Sequence, residues 1–253
     1  MMYEAIKNFN KQFEYEPVIE NEDKLERENK FIVAGMGGSH LAAGLLKSIS
    51  RVALDMTIHR DYGLPDDTED RLLILSSYSG NTEEVIDVFE KGIEKNLSMA
   101  VISIGGKLIE LAKKHSLPYI QMPNTGIQPR SALGYSLRAL LKVIGEEEML
   151  KETGKLSEAL DPSSYERQGK ALAEKLKGKV PVIYSSTRNM AIAYNWKIKF
   201  NESSKIPSFY NVFPELNHNE MAGFDVIGAT RELSSRLVIV LLKDTKDHLR
   251  IQK

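Results

Sequence analysis

Leu72-Leu73-Ile74-Leu75-Ser76-Ser77-Tyr78-Ser79-Gly80-Asn81-Thr82-Glu83-Glu84 decides how the rest of the chain is read. A run of large apolar residues followed by hydroxyls around one glycine describes a strand buried on both faces that enters a tight turn. Val85, Ile86, Phe89 and Ile93 then recur at helical spacing, so a helix opens where the turn ends. Its first backbone N–H groups lack intrahelical acceptors and carry the positive end of the helix dipole. An anion fits there, with Ser77, Ser79 and Thr82 donating hydroxyls and no lysine required. The same residues also suit an ordinary turn with a helix cap, because Ser, Thr, Asn and first-turn glutamates favour such positions. A cap needs only one side chain, whereas three hydroxyls stand at the carboxyl end of this strand, which favours a phosphate cradle.

The strand, turn and helix pattern repeats outward from this stretch. Lys30 to Ala34 is a short apolar run ending in Gly35-Met36-Gly37-Gly38-Ser39, and Leu41, Ala42, Leu45, Leu46 and Ile49 follow at helical spacing. Asp55 to Ile58 is a candidate strand, and Met99 to Ile104 another after a helix at Thr82 to Asn96. A helix near Leu108 to His115, a strand Pro118 to Met122 and a helix opened by Pro129 complete a first unit. Strands alternating with helices imply an α/β fold, a parallel sheet covered on both faces. Gly145 to Gly154 is charged and reads as a linker or the end of a long helix. Beyond it a helix from about Ser163 to Lys177, a strand Val180 to Ser185, a helix Arg188 to Glu202, an irregular polar stretch and a strand Leu237 to Leu242 describe a second α/β unit. The domains are therefore expected at 1–150 and 151–253. Tyr184-Ser185-Ser186-Thr187-Arg188 echoes the first unit's strand and polar turn, as a duplication would.

Composition narrows the class. With 253 residues, 42% of them hydrophobic, the chain can bury a large core in one big domain or two modest ones. The net charge is −1, from 34 basic and 35 acidic residues, so no overall field draws the chain to nucleic acid or an anionic membrane. A small-molecule ligand is expected instead. Cysteine is absent, which excludes disulfides, thiolate metal sites and a cysteine nucleophile. The charged, amphipathic N-terminus and the lack of any membrane-length apolar run lead to the expectation of a cytoplasmic protein.

Gly35-x-Gly37 after the first strand opens a dinucleotide fingerprint, in which backbone approaches a pyrophosphate that a Cβ would obstruct. His40 occupies the place of the third glycine, and Asp61 lies beyond the usual distance of about 20 residues for a ribose ligand. Gly37, Gly38 and Ser39 serve equally well for a close approach of backbone to a sugar or its phosphate. In the second half, Asn201-Glu202-Ser203 ends a helix, and Glu215-Leu216-Asn217-His218-Asn219-Glu220 is too polar and irregular for core. Glu202 has the chemistry of a general base and His218 that of a proton shuttle, and both are equally ordinary as surface groups. Arg130, opening a helix after Pro129, is likewise a candidate or a surface charge. On residues alone these three are unconnected.

GMGGS at Gly35 to Ser39, SYSGNT at Ser77 to Thr82, PRSALGYSL from Pro129, WKIKFNESSK from Trp196 and ELNHNE from Glu215 connect them. Together they closely resemble the bifunctional phosphoglucose/phosphomannose isomerases of the sugar isomerase (SIS) domain superfamily. The resemblance implies two stacked, flavodoxin-like sugar isomerase domains, a homodimer with shared active sites, and no metal or nucleotide cofactor. It implies an aldose–ketose isomerase that interconverts glucose 6-phosphate or mannose 6-phosphate with fructose 6-phosphate through an enediol. Ser77, Ser79 and Thr82 match the family's phosphate-binding hydroxyls, and Gly37, Gly38 and Ser39 its loop along the sugar. Glu202 matches the base that moves the proton between C1 and C2. His218 matches the residue that opens the ring, supplied by the neighbouring subunit, and Arg130 the positive charge near the enediolate. His40 stands where family members usually have glycine. The family's chain runs several tens of residues past the equivalent of Lys253 and carries a lysine there that assists ring opening. The second domain is accordingly expected to lack its C-terminal elements. A catalytically impaired sugar-phosphate-binding protein of the same fold is the alternative.

Overall fold

The computed structural model describes residues 2–49, 54–225 and 227–253. Contacts divide the chain into two units, Met1–Ser164 and Tyr165–Lys253. Among the described residues no helix is long and apolar enough to cross a membrane.

The first unit is built on five parallel strands: β1 (Lys30–Ala34), β2 (Asp55–His59), β3 (Leu72–Ser76), β4 (Met99–Ser103) and β5 (Tyr119–Gln121), in the order β2-β1-β3-β4-β5. The central strands β3 and β4 are buried along their whole length, which is what their unbroken apolar runs dictate. On one face Ile32, Ala34, Leu73, Leu75 and Val101 pack against Val85, Val88 and Phe89 of the helix Glu83–Glu94 and Leu108, Ile109 and Ala112 of the helix Gly106–Lys114. The alternate residues Phe31, Val33, Leu72 and Ile74 point the other way and are equally buried. The helices Leu41–Ile49 and Leu133–Val143 pack on each other and bury Leu41, Leu46, Leu137 and Leu140 apart from the first cluster. The charged stretch after Val143 is a separate helix, Glu147–Gly154, because Gly145 takes a left-handed conformation (φ 79°) that ends the preceding one.

Arg138 fastens this end of the unit. It lies on the buried side of the helix Leu133–Val143 with 1% of its side chain exposed. Its guanidinium donates to the carbonyls of Tyr15 and Leu150 (the latter at 2.9 Å), to Thr153 Oγ1 at 3.3 Å and to Glu16 at 2.8 Å. Glu16 is itself 79% exposed, so solvent screens the ion pair and the carbonyl contacts matter more. One planar cation thus joins the N-terminal segment to the helix Glu147–Gly154.

The second unit holds β6 (Val180–Ser186), β7 (Phe209–Phe213) and β8 (Leu237–Leu241), parallel and in the order β7-β6-β8. Strand β7 lies in the stretch read above as irregular. It is half-buried and short, with Phe209 exposed, and so lacks a continuous apolar run. Val182, Tyr184 and Leu216 form a buried cluster with Phe213, Phe224 and Leu237 against it. The helix Met190–Lys199 packs on β6 and β7.

Replacing Arg138 with Leu should lower the stability of the chain by about 3 kcal/mol, since the buried carbonyl of Leu150 and the partly buried carbonyl of Tyr15 lose a charged donor. Urea denaturation measures this; a loss below about 1 kcal/mol would show that the guanidinium contacts are not what holds the segments together.

Candidate functional site

In the first unit the chain leaves β1 in one direction to form β2 and returns on the other side to form β3. The turns after β1 and β3 therefore diverge at the carboxyl edge of the sheet, where open α/β sheets place their ligands. Gly35 permits the strand ends to approach: a Cβ there would lie 2.7 Å from the Ser76 carbonyl oxygen. Ser39 then ties the turns together. Its carbonyl accepts from Ser76 Oγ at 2.9 Å, and its own hydroxyl accepts from the Tyr78 N–H at 2.9 Å. Gly37 is left-handed (φ 51°), and a Cβ on Gly38 would lie 2.9 Å from the backbone nitrogen of Arg130. The turn Gly37–His40 thus rests on the turn Pro129–Ser131.

The turn after β3 is hydrogen-bonded within itself. Ser77 Oγ and Thr82 Oγ1 are 2.7 Å apart, the Gly80 N–H donates to Ser77 Oγ at 3.1 Å, and the Asn81 N–H donates to Ser79 Oγ at 3.2 Å. Gly80 is left-handed (φ 73°), and any Cβ there would be driven into the Gly105 carbonyl. Thr82 is the N-cap of the helix Glu83–Glu94, but its hydroxyl turns to Ser77 and makes no capping bond. Capping is what such a threonine ordinarily does. The helix terminus therefore keeps its positive end open beside exposed Ser79, whose hydroxyl accepts from Asn81 and retains its proton for a ligand. Ser77 is buried and shapes the turn. Gly37, Gly38, Ser39, Ser77, Ser79, Thr82 and the backbone of Arg130 are gathered at one edge of one sheet.

Glu202 and His218 belong to the second unit. The helix Met190–Lys199 widens into a π-helical turn, Phe200–Ser204, before Lys205 closes it in a left-handed conformation. Glu202 sits half-buried in that turn, a local irregularity found often at functional sites. His218 is exposed and follows a single 3₁₀ turn, Glu215–Asn217, anchored by fully buried Leu216. The loop has a second anchor that sequence reasoning did not single out. Glu220 accepts from the Tyr184 hydroxyl at 2.5 Å and from the Asn211 amide, which pins the His218 segment to β6 and β7. Burial, and then the Glu220 carboxylate, raise the Tyr184 pKa. A tyrosine in mid-strand needs a partner for its hydroxyl, and that requirement was the available signal for Glu220.

His40, next to the glycine turn, is buried with 4% exposure. Burial first, and the Arg60 charge second, lower its pKa to about 4. An unfolded histidine titrates near 6.5, so protons bind the unfolded chain preferentially. The resulting stability is complete above about pH 6.5 and is lost as the pH falls from there to about 4. Between about pH 7.5 and 5.0, the wild type should lose about 2 kcal/mol more than His40→Gln in urea denaturation. Equal pH dependence in the two proteins would contradict a buried, uncharged imidazole.

Residues 165–253 match the family model of the bacterial phospho-glucose isomerase C-terminal SIS domain. The chain is 32% identical to the bifunctional phosphoglucose/phosphomannose isomerase of Aquifex aeolicus, over 99% of this chain and 77% of that protein. It is 35% identical to the one of Caldicellulosiruptor bescii, over 98% of this chain and 78% of that protein. The C-terminal domain of glucosamine-fructose-6-phosphate aminotransferase from Francisella tularensis has a similar fold, with a TM-score of 0.62 at 15% identity over 96% of this chain and 75% of that one. The chain belongs to the family of bifunctional phosphoglucose/phosphomannose isomerases.

Proposed function

We propose that this protein is a cytoplasmic aldose–ketose isomerase that interconverts glucose 6-phosphate or mannose 6-phosphate with fructose 6-phosphate. The observation that carries the reading is the Ser77–Thr82 turn: a helix terminus that its own threonine leaves uncapped, beside exposed Ser79, at the switch point of a parallel sheet. In this reading the first unit, one sugar isomerase domain, grips the 6-phosphate with Ser79, Thr82 and the first amides of the helix Glu83–Glu94. Ser77 holds the turn in shape, and Gly37, Gly38 and Ser39 lie along the sugar.

The reaction needs three proton movements. Ring opening takes the proton from the anomeric hydroxyl and delivers one to the ring oxygen as the C1–O5 bond breaks; His218, from the second unit of the partner in a homodimer, serves this step. Glu202 then removes the proton from C2 of the open aldose, leaving an enediolate whose negative charge Arg130 stabilises. The same carboxylate, now protonated, returns its proton to C1 while the proton of the O2 hydroxyl passes to O1, which gives the ketose. The phosphate takes no part in bond making; its binding energy holds C1 and C2 against the base.

A coupled assay on the purified chain with each 6-phosphate tests the reading, and absence of turnover with all of them would reject it. Glu202→Gln, which keeps the size of the side chain, should lower kcat by about a thousandfold while KM changes little. Ser79→Ala with Thr82→Val should instead raise KM by about tenfold or more, with the smaller effect on kcat. If Glu202→Gln retained normal kcat, the base would have to be sought elsewhere. Sharing of the site across subunits has its own measurement. Mixing inactive Glu202→Gln and His218→Ala proteins should restore part of the activity in heterodimers, and no recovery would count against a histidine supplied in trans.

A further inference from the structure

The turn Pro129–Ser131, which carries Arg130, leads into the helix Leu133–Val143 through Ala132 at the N-cap. Alanine has no side-chain oxygen to accept from the first helical amides, and this helix start is buried at Ala132, Leu133 and Gly134. A buried N–H without an acceptor is costly. The acceptor comes from 122 residues away. Gln12 Oε1 accepts from the Gly134 N–H at 2.9 Å, and Gln12 Nε2 donates to the Ser131 carbonyl at 2.7 Å. Only one orientation of the carboxamide satisfies both partners, since its oxygen must face the N–H and its nitrogen the carbonyl. Gln12 is 2% exposed, and Gly134 makes room for it: a Cβ there would lie 2.6 Å from Gln12 Cβ.

Gln12 is itself held in a frame. It lies in the 3₁₀ helix Phe9–Glu14, which is tied down on either side: the Asn10 amide donates to the Ser157 carbonyl at 2.7 Å, and the Tyr15 carbonyl accepts from Arg138. The Arg130 turn is thus gripped from two directions, by Gly38 of the glycine turn against its backbone and by Gln12 at its exit into the helix. A guanidinium stabilises developing negative charge in proportion to how firmly it is pre-placed, because a charge that must reorient during the reaction loses that advantage. We propose that Gln12 is a positioning residue for the isomerisation, fixing the Arg130 turn through Ser131 and Gly134. The inference rests on the isomerase reading, in which Arg130 faces the enediolate. Gln12 is buried and acts only through Arg130.

A double-mutant cycle in the full chain, read by steady-state kinetics with fructose 6-phosphate, tests the proposal. Gln12→Met keeps the length of the side chain and removes both hydrogen bonds; it should lower kcat about tenfold and leave KM within about twofold of wild type. In an Arg130→Ala background the same substitution should change kcat by less than about twofold, because the group it positions is gone. A glutamine with a merely structural role would lower kcat by the same factor in both backgrounds, and that result would overturn the proposal, as would a normal kcat in folded Gln12→Met. Gln12→Glu carries the test if circular dichroism shows that the methionine variant does not fold. Its carboxyl still accepts from Gly134 but donates to Ser131 only when protonated, so its kcat should be reduced at high pH and recover toward wild type at the same pH as the pH falls. A folded Gln12→Glu protein with no deficit, or with one that does not change with pH, would equally overturn the proposal. Wild-type turnover alongside any of these contrary results rejects the positioning role alone, whereas a wild type without turnover rejects the isomerase reading and this inference with it.

Discussion

The site edge of the first unit depends on one small residue, Ser39. Its carbonyl and hydroxyl take hydrogen bonds from Ser76 and Tyr78, the two residues that flank Ser77 at the end of β3. Two turns that the topology sends in opposite directions are thereby locked to each other, with buried donors and acceptors satisfied. The lock in turn requires glycine at Gly35 and Gly38, where a Cβ would collide with the backbone of Ser76 or of Pro129 and Arg130. Three backbone segments far apart in sequence meet there only because side chains are missing at those positions.

The same economy appears in the turn after β3. A threonine at a helix start ordinarily bonds back to the helix, which would neutralise the terminus. Here Ser77 draws the Thr82 hydroxyl away, so the terminus keeps its partial charge and several unbonded amides. Such an arrangement gives up the stability of a cap, typically about 1 kcal/mol, in exchange for a polarity that suits an anion. In the second unit the residue at the helix start, Asn189, also makes no capping bond and donates instead to the Asp244 carboxylate on the loop after the neighbouring strand.

In the second unit the polar segment around His218 is held at two points, one apolar and one polar. Leu216 is buried in the small cluster on β6, and Glu220 bonds Tyr184 and Asn211. An exposed histidine between two anchors keeps its ring accessible while its backbone is fixed, which suits a group that must meet a ligand without being buried. Glu202 gains its position from a π-helical turn, which displaces residues from the regular helical register at a point where the helix would otherwise simply end.

Sequence by itself determined the α/β class, the strands of the first sheet and the turn at Ser77–Thr82, because unbroken apolar runs and helical spacing are local signals of burial. It also carried the family, through short motifs whose residue types and spacing survive without any knowledge of the fold. Only the tertiary structure decided the order β2-β1-β3-β4-β5, since strand pairing is set by which buried faces meet and not by the strands' own composition. It decided β7 as well: Phe209–Phe213 is half-buried beside β6 and has no continuous apolar run to announce it. The direction of the Thr82 hydroxyl, the π-helical turn under Glu202, the Glu220 anchor and the Asp244 carboxylate in the second turn are all contacts between residues, many of them distant in the chain. A sequence lists the donors and acceptors, but folding alone determines which of them meet.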